Sequence, residues 1–169
     1  MRILLLFGLL FSAAACAQEP ANNVGLIYPQ LPAGLTEKGG GLARGTVHAD
    51  GLWYLFIEGD GKSMVWLNRE VGKTVDGKGN RPIWKVLDTL QLPSLRKGEA
   101  VHYGNDIACS YTRKADESII AIGKWKWRKN RVGGYVQNVR LAWRIHPTLD
   151  RFEVISPAKV GCRLDEDRD

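Results

Sequence analysis

The sequence predicts a mainly β protein, an antiparallel sandwich or barrel with one short helix near residues 82–90. Three observations carry this. Apolar runs rich in β-branched and aromatic residues recur, as in Leu52 to Ile57 (LWYLFI), Met64 to Leu67 (MVWL) and Ile119 to Ile122, and such residues favour strands. Turn dipeptides punctuate them at Asp50-Gly51, Asp60-Gly61, Asp76-Gly77 and Gly133-Gly134, where glycine tolerates the positive φ that tight hairpins need. Only Pro82 to Leu90 repeats apolar residues at helical spacing.

Residues 1–17 read as a secretory leader. Met1-Arg2 is a short positive start, Ile3 to Phe11 an apolar run, and Ser12 to Ala15 a small-residue close. The run falls well short of the roughly 20 residues a transmembrane helix requires. Two processing routes fit. Ala15-Cys16-Ala17 before Gln18 suits ordinary cleavage and gives a soluble chain. Ala13-Ala14-Ala15-Cys16 resembles a bacterial lipobox, with Ala13 where Leu is usual, and would make Cys16 a lipidated first residue. Both routes send the protein to the periplasm or beyond, and a membrane is a partner only if Cys16 is lipidated.

The remaining chain is the length of one domain. Residues 18–45 carry Pro20, Pro29 and Pro32, then Gly34, Gly39, Gly40 and Gly41. They read as an irregular N-terminal arm with one short strand near Val24 to Tyr28. Residues 46–164 form the mainly β domain, and 165–169 (DEDRD) an acidic tail.

Within the domain, Leu52 to Ile57 turns through Gly59-Asp60-Gly61-Lys62 into Met64 to Leu67. Neither run alternates with polar residues, so both faces of this hairpin are expected to be covered. Asp76 to Asn80 is a loop. Pro82 suits a first helical turn, Ile83, Val86, Leu87 and Leu90 follow at helical spacing, and Pro93 ends the run; the competing reading is a strand through Ile83 to Leu87. Further strands are expected at Val101 to Tyr103, Ile107 to Tyr111, Ile119 to Lys129, Tyr135 to Ile145 and Phe152 to Ile155.

Cys109 and Cys162 are the two cysteines left after the leader, and in an oxidising compartment they pair. They lie 53 residues apart, a closure worth on the order of 4 kcal/mol in the chain-entropy model. The lack of C-x-x-C or nearby His ligands argues against zinc, and neither a metal nor a cofactor is expected.

From Ser118 to Leu149 the chain has no acidic residue and seven cations: Lys124, Lys126, Arg128, Lys129, Arg131, Arg140 and Arg144. These outnumber the whole chain's net charge of +6, so the basic character is local. Strand side chains alternate between faces. In the first strand Trp125 and Trp127 alternate with Lys124, Lys126 and Arg128; in the second, Leu141 and Trp143 alternate with Arg140 and Arg144. Matching apolar face to apolar face pairs Trp125 with Trp143, Lys124 with Arg144 and Arg128 with Arg140. That register requires an odd-length loop or a glycine bulge at Gly133-Gly134, and it puts both tryptophans on the core side. It also stacks like charges, which needs an offset from water and salt, acids on a neighbouring strand, or an anionic partner.

The expected binding face is therefore Lys124, Lys126, Arg128, Arg140 and Arg144. A merely solvated face and a charged, aggregation-resistant edge are the competing readings. Export argues against nucleic acid. An anionic envelope component or an acidic protein surface fits better, making the chain a non-enzymatic binding protein, an inhibitor or an immunity protein. The alternative is a small envelope hydrolase using His48 or His102 with a carboxylate. His48 lies before a turn with no partner visible in the sequence, His146 precedes Pro147, and no G-x-S-x-G, H-E-x-x-H or P-loop occurs.

Overall fold

The structure, a computed structural model, describes residues 23–43, 51–76, 79–103, 107–128 and 133–164. The segment 1–17 read as a leader, with Cys16, and His48, the cations Lys129 and Arg131, and the acidic tail lie outside the described residues.

Two antiparallel sheets form a sandwich. The first orders β1 (Ile27–Tyr28), β5 (Gly79–Gln91), β4 (Lys62–Asp76), β3 (Leu52–Gly59) and β2 (Thr36–Leu42). The second orders β6 (Glu99–Tyr103), β9 (Ile119–Trp127), β10 (Gly134–Ile145), β12 (Val160–Leu164), β7 (Ala108–Tyr111) and β8 (Lys114–Ala115), with β11 (Phe152–Val154) also paired to β10. Pro157–Lys159 is a short 3-10 turn.

Three apolar clusters follow from this layering. Between the sheets, Leu52, Tyr54, Phe56, Val65 and Leu67 meet Ile120, Ile122, Trp143 and Ile145. On the outer face of the first sheet, Ile57, Trp66 and Val86 are covered by the arm through Leu26, Tyr28, Leu31 and Leu35. The Tyr28 hydroxyl donates to buried Asn68 Oδ1 at 3.0 Å and pins the arm there. On the outer face of the second sheet, Cys109 and Cys162 pack with Ile119, Ala121, Val136, Ala142 and Ile155, so β7 and β12 curl over β9 and β10. The expectation that Leu52 to Ile57 and Met64 to Leu67 are covered on both faces holds: alternate residues enter the first and second of these clusters.

The helix expected near 82–90 is a strand instead. Asn68 faces Val86 and Leu67 faces Asp88, which leaves Leu87 as an extra residue in β5. This bulge resets the alternation. Trp84 and Val86 pack beneath the arm, while Leu87 and Leu90 turn to the inter-sheet core. A strand with two buried faces and one bulge thus reproduces the i, i+3, i+4, i+7 pattern of a helix. The arm contains more structure than its composition indicates. Thr36–Leu42 pairs with β3 as an edge strand, and Gly40 is required there, because a Cβ would come within 2.4 Å of the Tyr54 carbonyl oxygen.

Cys109 and Cys162 are directly opposed on β7 and β12 and form the expected disulfide, with Cα atoms 4.0 Å apart.

Candidate anion-binding site

The β9–β10 ladder does not have the register that apolar matching predicts. Trp127 faces Gly134, Lys126 faces Tyr135, Trp125 faces Val136 and Lys124 faces Gln137; Ile120 then faces Trp143 and Ile119 faces Arg144. Odd residues pair with even ones, so no two cations stand opposite each other in this ladder. The cause is that β9 is buried on both sides. Ile120 and Ile122 enter the inter-sheet core, whereas Ile119, Ala121 and Trp125 enter the outer cluster. Two buried faces remove the alternation from which register is read. The irregularity lies elsewhere than expected: β10 carries extra residues between Gln137 and Leu141, where Asn138 has φ 55°. Gly133 does adopt a positive φ of 102°, and its carbonyl accepts from the Arg128 N–H at 3.2 Å.

The five predicted cations separate into two groups. Arg140 is tied to Glu99 of β6, with Nε donating to Oε1 and Nη2 to Oε2, both at 2.8 Å. Arg144 is paired with Glu153, its cross-strand neighbour on β11, and lies over the Tyr111 ring. Acids on neighbouring strands therefore offset these two. Lys124 and Lys126 are exposed and Arg128 is half-buried, and among the described residues none of the three has a carboxylate partner.

The tryptophans also divide. Trp125 packs against the outer cluster and stacks on buried His102, with ring centroids 5.8 Å apart. Its ring covers Gly134, where a Cβ would come within 2.5 Å of it. Trp127, expected in the core, is 66% exposed and meets Trp125 edge-on at 5.7 Å. At this end of β9 the second sheet extends past the packed core, and the Trp/Lys alternation no longer separates core from solvent.

Next to this end is a cleft of about 430 Å³. Its floor holds the disulfide, Ala108 and Val136, and its walls bring together Arg113, Arg128, Arg163 and Tyr135. Among the described residues no acidic side chain lines it. Arg113 occupies the β7–β8 turn, where Thr112 and Arg113 have φ of 51° and 68°. Arg163 stands opposite Tyr135 on β12. Sequence reading identified Arg128 alone among these. Arg113 and Arg163 lie outside the acid-free stretch, and only the Cys109–Cys162 pairing, which joins β7 to β12, gave any sign that they could approach it.

His102 is 4% exposed, with Nε2 3.2 Å from the Gly123 carbonyl oxygen and one ring face against Trp125. Burial lowers its pKa below the usual histidine value, opposed in part by the Gly123 contact. Among the described residues, its ring meets a backbone carbonyl and an indole and no carboxylate partner. His146 lies 3.9 Å from Glu153 and accepts a hydrogen bond at Nδ1 from the Thr148 N–H. No family model matches the chain, nor does any curated protein or solved structure.

Proposed function

We propose that this is an exported, non-enzymatic binding protein that takes an anionic partner on the surface formed by Lys124, Lys126 and Arg128. The observation that carries the reading is the division of the basic stretch. Arg140 and Arg144 are neutralised by Glu99 and Glu153, while the three cations at the Trp127 end have no acidic partner among the described residues. An unneutralised cationic surface with an exposed indole suits a polar, negatively charged partner, since tryptophan offers a flat apolar face beside the charges. The leader-like order of residues 1–17 supports a place in the periplasm or the extracellular space, as a soluble chain or anchored through Cys16. The partner is then an anionic envelope component; an acidic protein surface, bound by an inhibitor or immunity protein, is the other outcome of the test.

The test is retention of the purified protein on anionic envelope material over a salt series. Replacing Lys124, Lys126 and Arg128 by Gln is expected to weaken retention and flatten its salt dependence, because surface attraction is screened within about 10 Å at 0.1 M salt. Unchanged retention and slope reject the proposal. A pull-down from envelope extract separates an envelope component from an acidic protein.

A further inference from the structure

We infer that the cleft walled by Arg113 and Arg128 binds the phosphate of a phosphorylated sugar. This rests on the anion-binding reading above and narrows it from a charged surface to a bounded pocket.

The cleft's volume of about 430 Å³ lies within the range of small-molecule sites, roughly 300–1,000 Å³. It exceeds what a bare phosphate fills, so the ligand carries a body as well as a charge. The two guanidinium groups belong to separate elements, Arg128 following β9 and Arg113 in the β7–β8 turn. One carboxylate is satisfied by a single guanidinium fork, whereas a phosphate presents enough oxygens for two. Among the described residues neither arginine has a carboxylate partner, and none lines the cleft. The Ser110 hydroxyl, which donates to the Gly161 carbonyl at 3.2 Å, keeps lone pairs for a ligand hydroxyl, and Tyr135 adds an aromatic wall. An apolar floor with polar edges matches a sugar ring, which has the same two kinds of surface.

The backbone supplies a second, independent observation. The two-residue β7–β8 turn puts Thr112 and Arg113 in the left-handed region, which Asn and Gly occupy far more readily. A β-branched residue there is a marked outlier. Such strain concentrates at ligand sites, where the surrounding structure holds it. Here the disulfide clamps β7 to β12 and fixes the turn over the cleft.

The experiment is titration calorimetry of the purified protein with glucose 1-phosphate, inorganic phosphate, glucuronate and glucose. Glucose 1-phosphate is expected to bind more tightly than the other three. Arg113→Gly and Arg128→Gln are each expected to weaken it roughly tenfold or more, the loss typical of a charge-assisted hydrogen bond. Lys85→Gln, on the other sheet, leaves binding unchanged. Arg113→Gly also relieves the left-handed backbone and so raises the melting temperature, which separates lost binding from lost fold. The inference is overturned if glucose 1-phosphate does not bind, if glucuronate or inorganic phosphate binds as well, or if Arg113→Gly leaves binding intact. If Arg113→Gly binds normally while the Lys124, Lys126 and Arg128 variant loses envelope retention, the pocket fails and the surface reading survives. If both variants behave like the parent, both readings fail.

Discussion

Arg140 holds Glu99 in a two-pronged grip, Nε to Oε1 and Nη2 to Oε2 at 2.8 Å each, and this joins the bulged part of β10 to the start of β6 across the intervening strand β9. The Glu99 side chain is 5% exposed. Its Oε2 also accepts from the Arg96 N–H at 2.8 Å, and Arg140 Nη2 reaches the Ser94 carbonyl at 3.3 Å. Arg140 is thus a structural tie that closes the segment between β5 and β6, and the acid-free stretch recruits its counter-charge from elsewhere in the chain.

The pair has a defined pH window. The bonds from Arg140, with the Arg96 N–H second, push the Glu99 pKa from 4.5 down to about 2. A depressed carboxyl pKa stabilises the fold above the unfolded-state value, and that contribution is lost as pH falls through the folded-state value. Arg140→Gln is therefore expected to be less stable than the parent at about pH 6, with the gap closing between pH 4.5 and about 2. Urea denaturation at several pH values measures this; a gap constant down to pH 2 would contradict the assignment.

The mainly β class, the 52–67 hairpin and the Cys109–Cys162 pair were legible in the sequence because each rests on local composition or on elimination. The helix near 82–90 and the β9–β10 register were misread for one shared physical reason. Both segments are buried on two faces and interrupted by a bulge, so polarity does not reveal which side a residue faces. Half of the candidate site was legible for a related reason. Lys124, Lys126 and Arg128 stand out in an acid-free stretch, but whether a cation is neutralised depends on residues such as Glu99 and Glu153, which only the fold brings close. Arg113 and Arg163 reach the cleft through strand pairing that no local pattern encodes.

His102 should destabilise the protein in mild acid. Burial lowers its pKa below the usual histidine value, so below about pH 6.5 the unfolded chain takes up a proton more readily than the folded one. Stability is expected to fall as pH drops through that range, and His102→Gln should lose this part of the pH dependence. The imidazole titration followed by NMR should have a midpoint below the free-histidine value; a midpoint above it would exclude the buried, Trp125-stacked environment.

The two neighbouring tryptophans should respond in opposite ways. Trp127 is 66% exposed, so Trp127→Ala is expected to change stability by no more than about 0.5 kcal/mol. Trp125 covers Gly134 and stacks on His102, and Trp125→Ala is expected to cost about 3–5 kcal/mol, the range for a large aromatic side chain in a packed site. Gly134→Ala probes the same contact from below: a Cβ would meet the Trp125 ring at 2.5 Å and the Lys126 carbonyl at 2.8 Å, an overpacking that costs about 1–3 kcal/mol. Equal effects of the two tryptophan changes would restore the register in which both face the core.

The disulfide has two separable consequences, because it closes a long loop and also floors the cleft. Cys109→Ala with Cys162→Ala removes a cross-link between residues 53 apart, expected to cost on the order of 4 kcal/mol of stability. That loss should appear as a lower denaturation midpoint, with part of the effect on the unfolded chain. The second consequence is local. Without the cross-link, β7 and the strained Thr112-Arg113 turn are held by the β7–β12 ladder, the Ser110 hydroxyl bond to the Gly161 carbonyl and the Thr112 N–H bond to the Lys159 carbonyl, so amide exchange at Ser110 to Lys114 is expected to accelerate more than exchange in β3 or β4. Uniform acceleration across both sheets would mean that the bond acts only on global stability, and would remove its role in fixing Arg113 over the cleft.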